Sequence, residues 1–363
     1  MKTVEQILLK ESLEKDEIIH LLSTQDQAER NLLFETADKV RKENVGSNVY
    51  LRGLIELSNI CRKNCLYCGI RKDNRKVERY TLDDRQVIDT VRQALDNGFG
   101  SIVIQSGERT EKNFSSRVAR LVRQIKEISG GKLGITLSCG EQAPETYRQW
   151  FEAGAHRYLL RVETSSEELY YKWHPNDRVH EYSNRLKSLE ALKNAGYQVG
   201  TGVMIGAPYQ DIETLAGDLL LFKELDIDMI GMGPYIPHED TPLFNPKEDL
   251  PSPAERLELT LRMIALLRIM MKDVNIAAAT ALDVLAPSGR AMALLAGANV
   301  FMPNLTPGEN AKKYALYRNK PYFEGQVGSV MEKVNEKIEP AGLKIVYDKW
   351  GDSPHFTRRV VIN

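Results

Sequence analysis

Apolar and small residues gather in short runs along this chain, separated by longer stretches of mixed polarity. The runs are VYLRGLIEL (49–57), SIVIQS (101–106), LGITLS (133–138), RYLLRVE (157–163), QVGTGVMIG (198–206), DMIGMGP (228–234), IAAATA (276–281) and NVFMPN (299–304). Runs this short and continuous fit strands buried on both faces, the mark of a parallel sheet covered by helices. Between them the period becomes helical. In SRVARLVRQIKEIS, Val118, Leu121, Val122, Ile125 and Ile128 fall on one face. Thr81 with Asp84 three residues later predicts a helix start over 81–98, ended by Gly98. Ser252-Pro253-Ala254-Glu255 supplies a cap, an N1 proline and an N3 glutamate for a helix reaching about Met271.

Eight strands alternating with helices predict an α/β fold, specifically a complete (β/α)8 TIM-type barrel with N-terminal helices and a short C-terminal extension. An open doubly wound sheet is the rival. No run is followed by a GxGxxG fingerprint, which favours the barrel. Residues 1–46 read as two or three short helices, with Ile7, Leu8, Ile18, Ile19, Leu21 and Leu22 as their apolar positions. The barrel is expected over 47–322, and 323–363 as a helix-strand extension packed on it, ending in a polar tail.

Chemistry in such barrels gathers at the C-terminal ends of the strands. Those ends carry Cys61 to Cys68, Gln105 to Glu108, Ser138 to Glu141, Arg161 and Glu163, Gly206 and Pro208, Gly233 to His238, Thr280, and Asn304 to Thr306. The first is the most telling. NICRKNCLYCGIR places Cys61, Cys65 and Cys68 within eight residues, and the chain has one other cysteine, Cys139. Three such thiols suit a metal centre, because a short loop converges its side chains at little closure cost. A structural zinc needs a fourth ligand, and His20, His156, His174, His180, His238 and His355 are all distant in sequence. An iron–sulfur cluster normally takes four thiolates, so three leave one iron open to a small molecule. Arg62, Lys63, Arg71 and Lys72 would offset the cluster's negative charge, although solvation alone also accounts for them.

Charge is balanced, 49 basic against 50 acidic residues, with no footprint for nucleic acid or an anionic membrane. Apolar runs are far shorter than a membrane span, and the charged N-terminus lacks a signal core, so a cytoplasmic protein is expected.

The triplet, with Tyr67 before its last cysteine, resembles the signature of the radical S-adenosylmethionine (radical SAM) superfamily. RKNCLYCGIRKDN, IVIQSGE, HRYLLRVET, MIGMGPYIPHEDTPL and GANVFMPNLTP extend that likeness from about Val45 to Tyr317. They resemble most the HydE maturases of FeFe-hydrogenase, relatives of biotin synthase and methylornithine synthase. The resemblance implies one 4Fe-4S cluster on Cys61, Cys65 and Cys68, whose open iron chelates S-adenosyl-L-methionine and cleaves it to methionine and a 5′-deoxyadenosyl radical. It implies that Tyr67 packs near the adenine, that Gly107 and Glu108 line the methionine end, and that Glu163 and Arg185 meet the amino and carboxylate groups. Gly206 would let backbone approach the adenosine. It further implies a substrate pocket of Ser138, Arg157, Arg161 and Thr280 for a cysteine-bound iron carbonyl cyanide unit. An external electron donor and handover to other hydrogenase maturation proteins follow from the same likeness, with neither nucleic acid nor membrane as partner.

Arg157 and Arg161 alternate on one run, so both are expected to point inward and meet an anion. The chain departs from HydE proteins at three places. Val162 stands where they carry histidine between the Arg and Glu of the fourth strand, Ala279-Thr280 where they often have paired threonines, and Cys139 where some relatives have an apolar residue. No cysteine follows Cys139, so a second thiolate-held cluster, as in biotin synthase, is not expected. The alternatives are a methylornithine-synthase-like mutase on the same scaffold, and a metal-stabilised binding protein without catalysis.

Overall fold

The computed structural model describes residues 3–245, 250–322 and 327–362. Each of the eight runs forms a strand. In chain order they are β1 (Asn48–Leu51, continued after Arg52 by Gly53–Ser58), β2 (Ser101–Ser106), β3 (Gly134–Ser138), β4 (Arg157–Leu159), β5 (Gln198–Thr201), β6 (Met229–Ile230), β7 (Asn275–Ala278) and β8 (Val300–Phe301). Every strand pairs in parallel with the next. Gly53 faces Ile102 between β1 and β2, and Ser101 faces Gly134 between β2 and β3. The last pairing returns to the first, Tyr50 opposite Val300 and Leu51 opposite Phe301. The sheet therefore closes on itself as a (β/α)8 barrel, which leaves no parallel edge exposed.

The strands are shorter than the apolar runs, which continue with little regular pairing toward the C-terminal rim. There β5 and β6 extend as a separate parallel pair, Met204–Ile205 with Gly233–Pro234. The helix expected over residues 116–129 runs from Lys112 to Ile128 and buries Phe114, Val118, Leu121, Val122 and Ile125, while Ile128 at its end stays partly exposed. Ser252 and Glu255 form the expected capping box on Pro253–Met270. The start predicted at Thr81 lies two residues too early. Asp83 caps the helix Asp84–Asp96 through the Gln86 N–H, and Thr81 instead bonds Ser58 at 2.8 Å.

Three N-terminal helices, Val4–Leu8, Lys15–Ser23 and Gln27–Asn44, precede β1, and the third is a long one of 18 residues. At the other terminus the expected division between 322 and 323 falls beside residues 323–326, outside the described residues. A helix, Val327–Ile338, and a strand, Lys344–Val346, follow, and the strand adds in parallel to the first half of β1. What reads as a polar tail is a plug. Residues 350–353 cross the N-terminal end of the barrel, and the helix Pro354–Ile362 closes the chain. The Gly351 carbonyl accepts from Arg52 at 3.0 Å and Asn275 at 2.9 Å, and Ser353 N–H donates to Gln198 at 3.1 Å. Above the plug lies a cavity of about 20 Å³ lined by Arg52, Val103, Thr136, Met229 and Asn275, room for about one water. Among the described residues no helix is long and apolar enough to cross a membrane.

Candidate active site

The loop that leaves β1 is tied down at both ends before it presents any thiol. Ser58 donates to the Tyr80 carbonyl at 2.8 Å, and the Asn59 amide donates to the carbonyls of Glu78 and Lys313 at 2.9 and 2.8 Å. Arg79 sits inside the loop as a spool. Its guanidinium donates to the carbonyls of Asn59 (2.7 Å), Ile70 (2.8 Å) and Arg71 (2.6 Å), satisfying acceptors that an irregular backbone would otherwise leave unpaired. Gly69 N–H bonds the Leu316 carbonyl at 2.8 Å, and a Cβ there would lie 2.1 Å from the Ala315 carbonyl oxygen.

Cys61, Cys65 and Cys68 are all free thiols on this loop. Burial pushes each thiol's pKa up, that of Cys65 to about 12, and the ionisation of Cys61 adds to it. Cys68 is raised further by Cys65 and Cys61, so the three repel one another as thiolates. A cationic group bound among them would remove that penalty. Glu108 N–H lies 3.3 Å from Cys61 Sγ, a donor suited to a charged sulfur. Among the described residues no set of three or more His, Cys, Asp or Glu closes around a single-ion position. The fit to a cluster rests on the donor chemistry: three mutually destabilised thiols, nearby N–H and cationic groups, and Cys139 turned to the Ile104 carbonyl at 3.8 Å.

Beside the thiols lies a buried charge network. Glu108 is 4 % exposed and accepts from Glu141 N–H at 2.8 Å, with Arg62 Nε 3.0 Å from its other oxygen. Glu141 pairs with Lys63 at 2.9 Å and Arg185 at 2.5 Å. Burial raises the Glu108 carboxyl, helped by Glu141 and opposed by Lys63. For Glu141 burial works the same way, but Arg185 and Lys63 outweigh it and hold the carboxyl low. Arg185, on the helix Tyr182–Asn194, also donates to the Arg161 carbonyl. Glu163 has a left-handed φ of 74° and pairs with Arg161 at 3.0 Å. Such a backbone costs about 1–3 kcal/mol for a non-glycine residue and is held here by the bridge to Val203.

The residues singled out from the sequence thus divide. Cys61, Cys65, Cys68, Glu108, Glu163, Arg161 and Arg185 stand together at the C-terminal rim. Tyr67 joins them, edge-on to His174 at 5.3 Å, in a small apolar patch with Trp173, Met204 and Tyr235. Ser138 ends β3, and Thr280 follows β7 on the same rim. Gly107 is required by the loop itself, since a Cβ would lie 2.4 Å from the Ile60 carbonyl oxygen. Gly206 has φ 70° and leaves space for Arg256, while its N–H is taken by Gln210 at 2.7 Å.

Arg157 is not brought to this rim. It opens β4 at the opposite end of the barrel, fully buried, bound to Asp352 at 2.5 Å, the Trp350 carbonyl and Thr136 at 3.0 Å, and Ser101. Sequence spacing had put it on the inward face with Arg161, but β4 ends at Leu159 and the two point into different surroundings. Lys63, expected only to offset the cluster's charge, pairs with Glu141 and the Val179 carbonyl; Arg79 and Glu141 are neighbours of the thiols to which sequence reasoning gave no role. Only the place of Glu141 at a strand end signalled it.

The model of the family described as "Radical SAM superfamily" matches residues 55–240, the span from β1 to beyond β6. The chain belongs to the radical SAM superfamily. Over 330 residues it is 42% identical to the [FeFe] hydrogenase maturase subunit HydE of Thermotoga maritima, covering 91% of each chain. It is 28% identical over 340 residues to 3-methylornithine synthase of Methanosarcina acetivorans, covering 93% of each. Among solved structures, methylornithine synthase (PylB) superposes with a TM-score of 0.75 at 24% identity, over 95% of this chain and 97% of that one. HydG from Carboxydothermus hydrogenoformans gives 0.78 at 20% identity, over 95% and 79%. At such identities these two likenesses speak for the fold. As a radical SAM enzyme the chain has a family that implies a 4Fe-4S cluster and S-adenosylmethionine, and the thiol-rich rim is where its own residues fit them.

Proposed function

We propose that the chain is a HydE-type enzyme that uses reductive cleavage of S-adenosylmethionine in assembly of the FeFe-hydrogenase H-cluster, on a cysteine-bound iron carbonyl cyanide precursor. The observation that carries this reading is the loop of three free thiols fixed on the rim of a closed barrel, beside Glu163 and Arg185. The identity of 42% to the HydE maturase over most of both chains supports the choice of activity within the superfamily.

Cys61, Cys65 and Cys68 would hold the cluster, leaving one iron for the methionine moiety. When bound and reduced, that cluster supplies the electron for breaking the S–C5′ bond. The chain's own residues bind and orient. Glu163 takes the amino group and Arg185 the carboxylate, where a guanidinium can form two parallel hydrogen bonds. Both are already paired, Glu163 with Arg161 and Arg185 with Glu141. A zwitterion inserting there exchanges partners rather than exposing bare charges, which lowers the desolvation cost. Arg161, once released by Glu163, is free to take the substrate's carboxylate, with Ser138 and Thr280 on the same rim. Tyr67 closes the adenine side, with Gly107 and Glu108 at the methionine end and Gly206 at the adenosine. Residues 47–322 serve as the catalytic barrel, and 1–46 and 323–363 as its extensions. The partners under this reading are a small organometallic substrate, an external one-electron donor and the maturation proteins that receive the product.

Anaerobic reconstitution tests the reading. One cluster per chain, 5′-deoxyadenosine on reduction, and restored hydrogenase activity in a maturation mixture lacking HydE are expected. A colourless protein that takes one zinc through the triplet would contradict it.

A further inference from the structure

The loop that carries the three thiols is braced from one side by a segment outside the barrel. Residues 173–180 join the helix Glu167–Trp173 to the helix Tyr182–Asn194 and accept three hydrogen bonds from residues between Cys61 and Cys68. Leu66 N–H donates to the Trp173 carbonyl at 2.9 Å, Lys63 Nζ to the Val179 carbonyl, and Asn64 N–H to His180 Nε2 at 2.8 Å. The last is unusual in kind, because a side chain takes the backbone donor that lies directly between two of the thiols.

The geometry fixes the chemistry of that imidazole. Nε2 accepts from a backbone N–H, so it carries no proton, and the proton of the neutral ring is on Nδ1. Nδ1 lies 2.7 Å from Asp177 Oδ1, which accepts it. The same carboxylate oxygen accepts the N–H groups of Val179 at 2.8 Å and His180 at 3.1 Å. Asp177 therefore orients the ring and selects its tautomer, as an outer carboxylate does for a metal-binding histidine. Burial, aided by Lys63, outweighs the opposing pull of Asp177 and holds His180 below its ordinary pKa, which favours the neutral form. From the other side, the Asn64 amide donates to Asp73 at 2.8 Å and accepts from Arg71 at 2.9 Å. The residue ahead of Cys65 is clamped on both its backbone and its side chain.

The geometry points to His180 as a positioning residue for the cluster: as the Nδ1–H tautomer held by Asp177, it takes the Asn64 N–H and sets the spacing of Cys61 and Cys65. This inference rests on the triplet being the cluster site. It adds a residue 112 positions beyond Cys68, one whose ring nitrogens bond Asn64 and Asp177 rather than any of the thiols.

The test compares wild type with His180→Ala, His180→Gln and Asp177→Ala, all reconstituted anaerobically. The readouts are iron and sulfide content, the rate of iron release to a chelator, and the paramagnetic resonance spectrum of the reduced cluster. Loss of the acceptor in His180→Ala is expected to speed iron release at least fivefold and to shift or broaden the spectrum. A glutamine oxygen can occupy the place of Nε2, so His180→Gln should stay within about twofold of wild type with an unaltered spectrum. Asp177 is half exposed, so its alanine variant keeps the fold even if His180→Ala does not, and a release at least twofold faster than wild type is expected. Wild-type release from Asp177→Ala, or His180→Gln as labile as His180→Ala, overturns the inference. If wild type itself takes up no cluster, the function proposed above fails first, and the role of His180 with it.

Discussion

Removing the Asp352 carboxylate should weaken the whole barrel, although it lies at the opposite end from the thiols. The Arg157 guanidinium is fully buried, and Asp352 is the one carboxylate the structure shows bonded to it among the described residues. Breaking a buried ion pair by deleting one partner costs about 3–5 kcal/mol. The Asp352 side chain is 34 % exposed, and Arg157 keeps the Trp350 carbonyl, Thr136 and Ser101. Solvent screening and those remaining acceptors reduce the expected cost of Asp352→Ala to about 2 kcal/mol. With a urea slope of ~3 kcal/mol/M for a chain of this size, the unfolding midpoint should fall by about 0.7 M. The pH dependence has a definite sign. Burial works against the Asp352 charge, but His156 and Arg157 hold its carboxyl well below the usual carboxylate range. A depressed folded value gives stability that is present above the unfolded value, about pH 4, and lost as pH falls through the folded one. The gap between wild type and variant should therefore be constant from pH 5 to 8 and shrink below about pH 4. A midpoint within 0.2 M of wild type at pH 7, or a gap that persists in acid, would refute the role of Asp352 as the stabilising counter-charge of Arg157.

Arg185→Lys should raise the dissociation constant of S-adenosylmethionine at least tenfold while leaving cluster content unchanged, since an ammonium cannot make the paired bonds of a guanidinium; equal affinity by calorimetry would remove Arg185 from the site. Arg161→Ala should spare uncoupled cleavage of S-adenosylmethionine but weaken substrate binding by about tenfold, or ~1.4 kcal/mol. Unaltered substrate affinity would count against the pocket. His355 is raised by Asp273, with Asp226 adding to it against burial, so its contribution is complete below the unfolded value of about 6.5 and fades as pH rises through the higher folded value. Hydrogen-exchange protection of the helix Pro354–Ile362, corrected for intrinsic rates, should fall between pH 6 and 9, and His355→Gln should flatten that dependence.

The barrel was legible because strands buried on both faces leave continuous apolar runs, and eight of them could be found in order. The thiol triplet was legible for a related reason, being confined to eight residues. What sequence did not disclose is contact over long separations. Arg157 meets Asp352 across 195 positions, and that pairing turns an expected substrate ligand into a structural one. Glu141 meets Lys63 across 78 positions and Arg185 across 44, so its place in the site depends on how three strand-end loops and a helix converge. His180 meets Asn64 across 116. Local rules also competed with one another. Thr81 has the chemistry of a cap, yet Asp83 wins the position because Thr81 is drawn to Ser58 at the end of β1. The C-terminal tail looked polar because its aspartate and histidine are polar, and only the fold shows them facing buried cations and carboxylates.

The central claim is that three cysteines hold a cluster with one iron left for the methionine end of S-adenosylmethionine. Electron–nuclear double resonance on the reduced, reconstituted protein with 15N-amino-labelled S-adenosylmethionine tests it most directly. A clear 15N coupling to the cluster in wild type, absent with unlabelled cofactor, is the expected result. A cluster that shows no such coupling, with a fourth protein ligand on the remaining iron, would contradict the account.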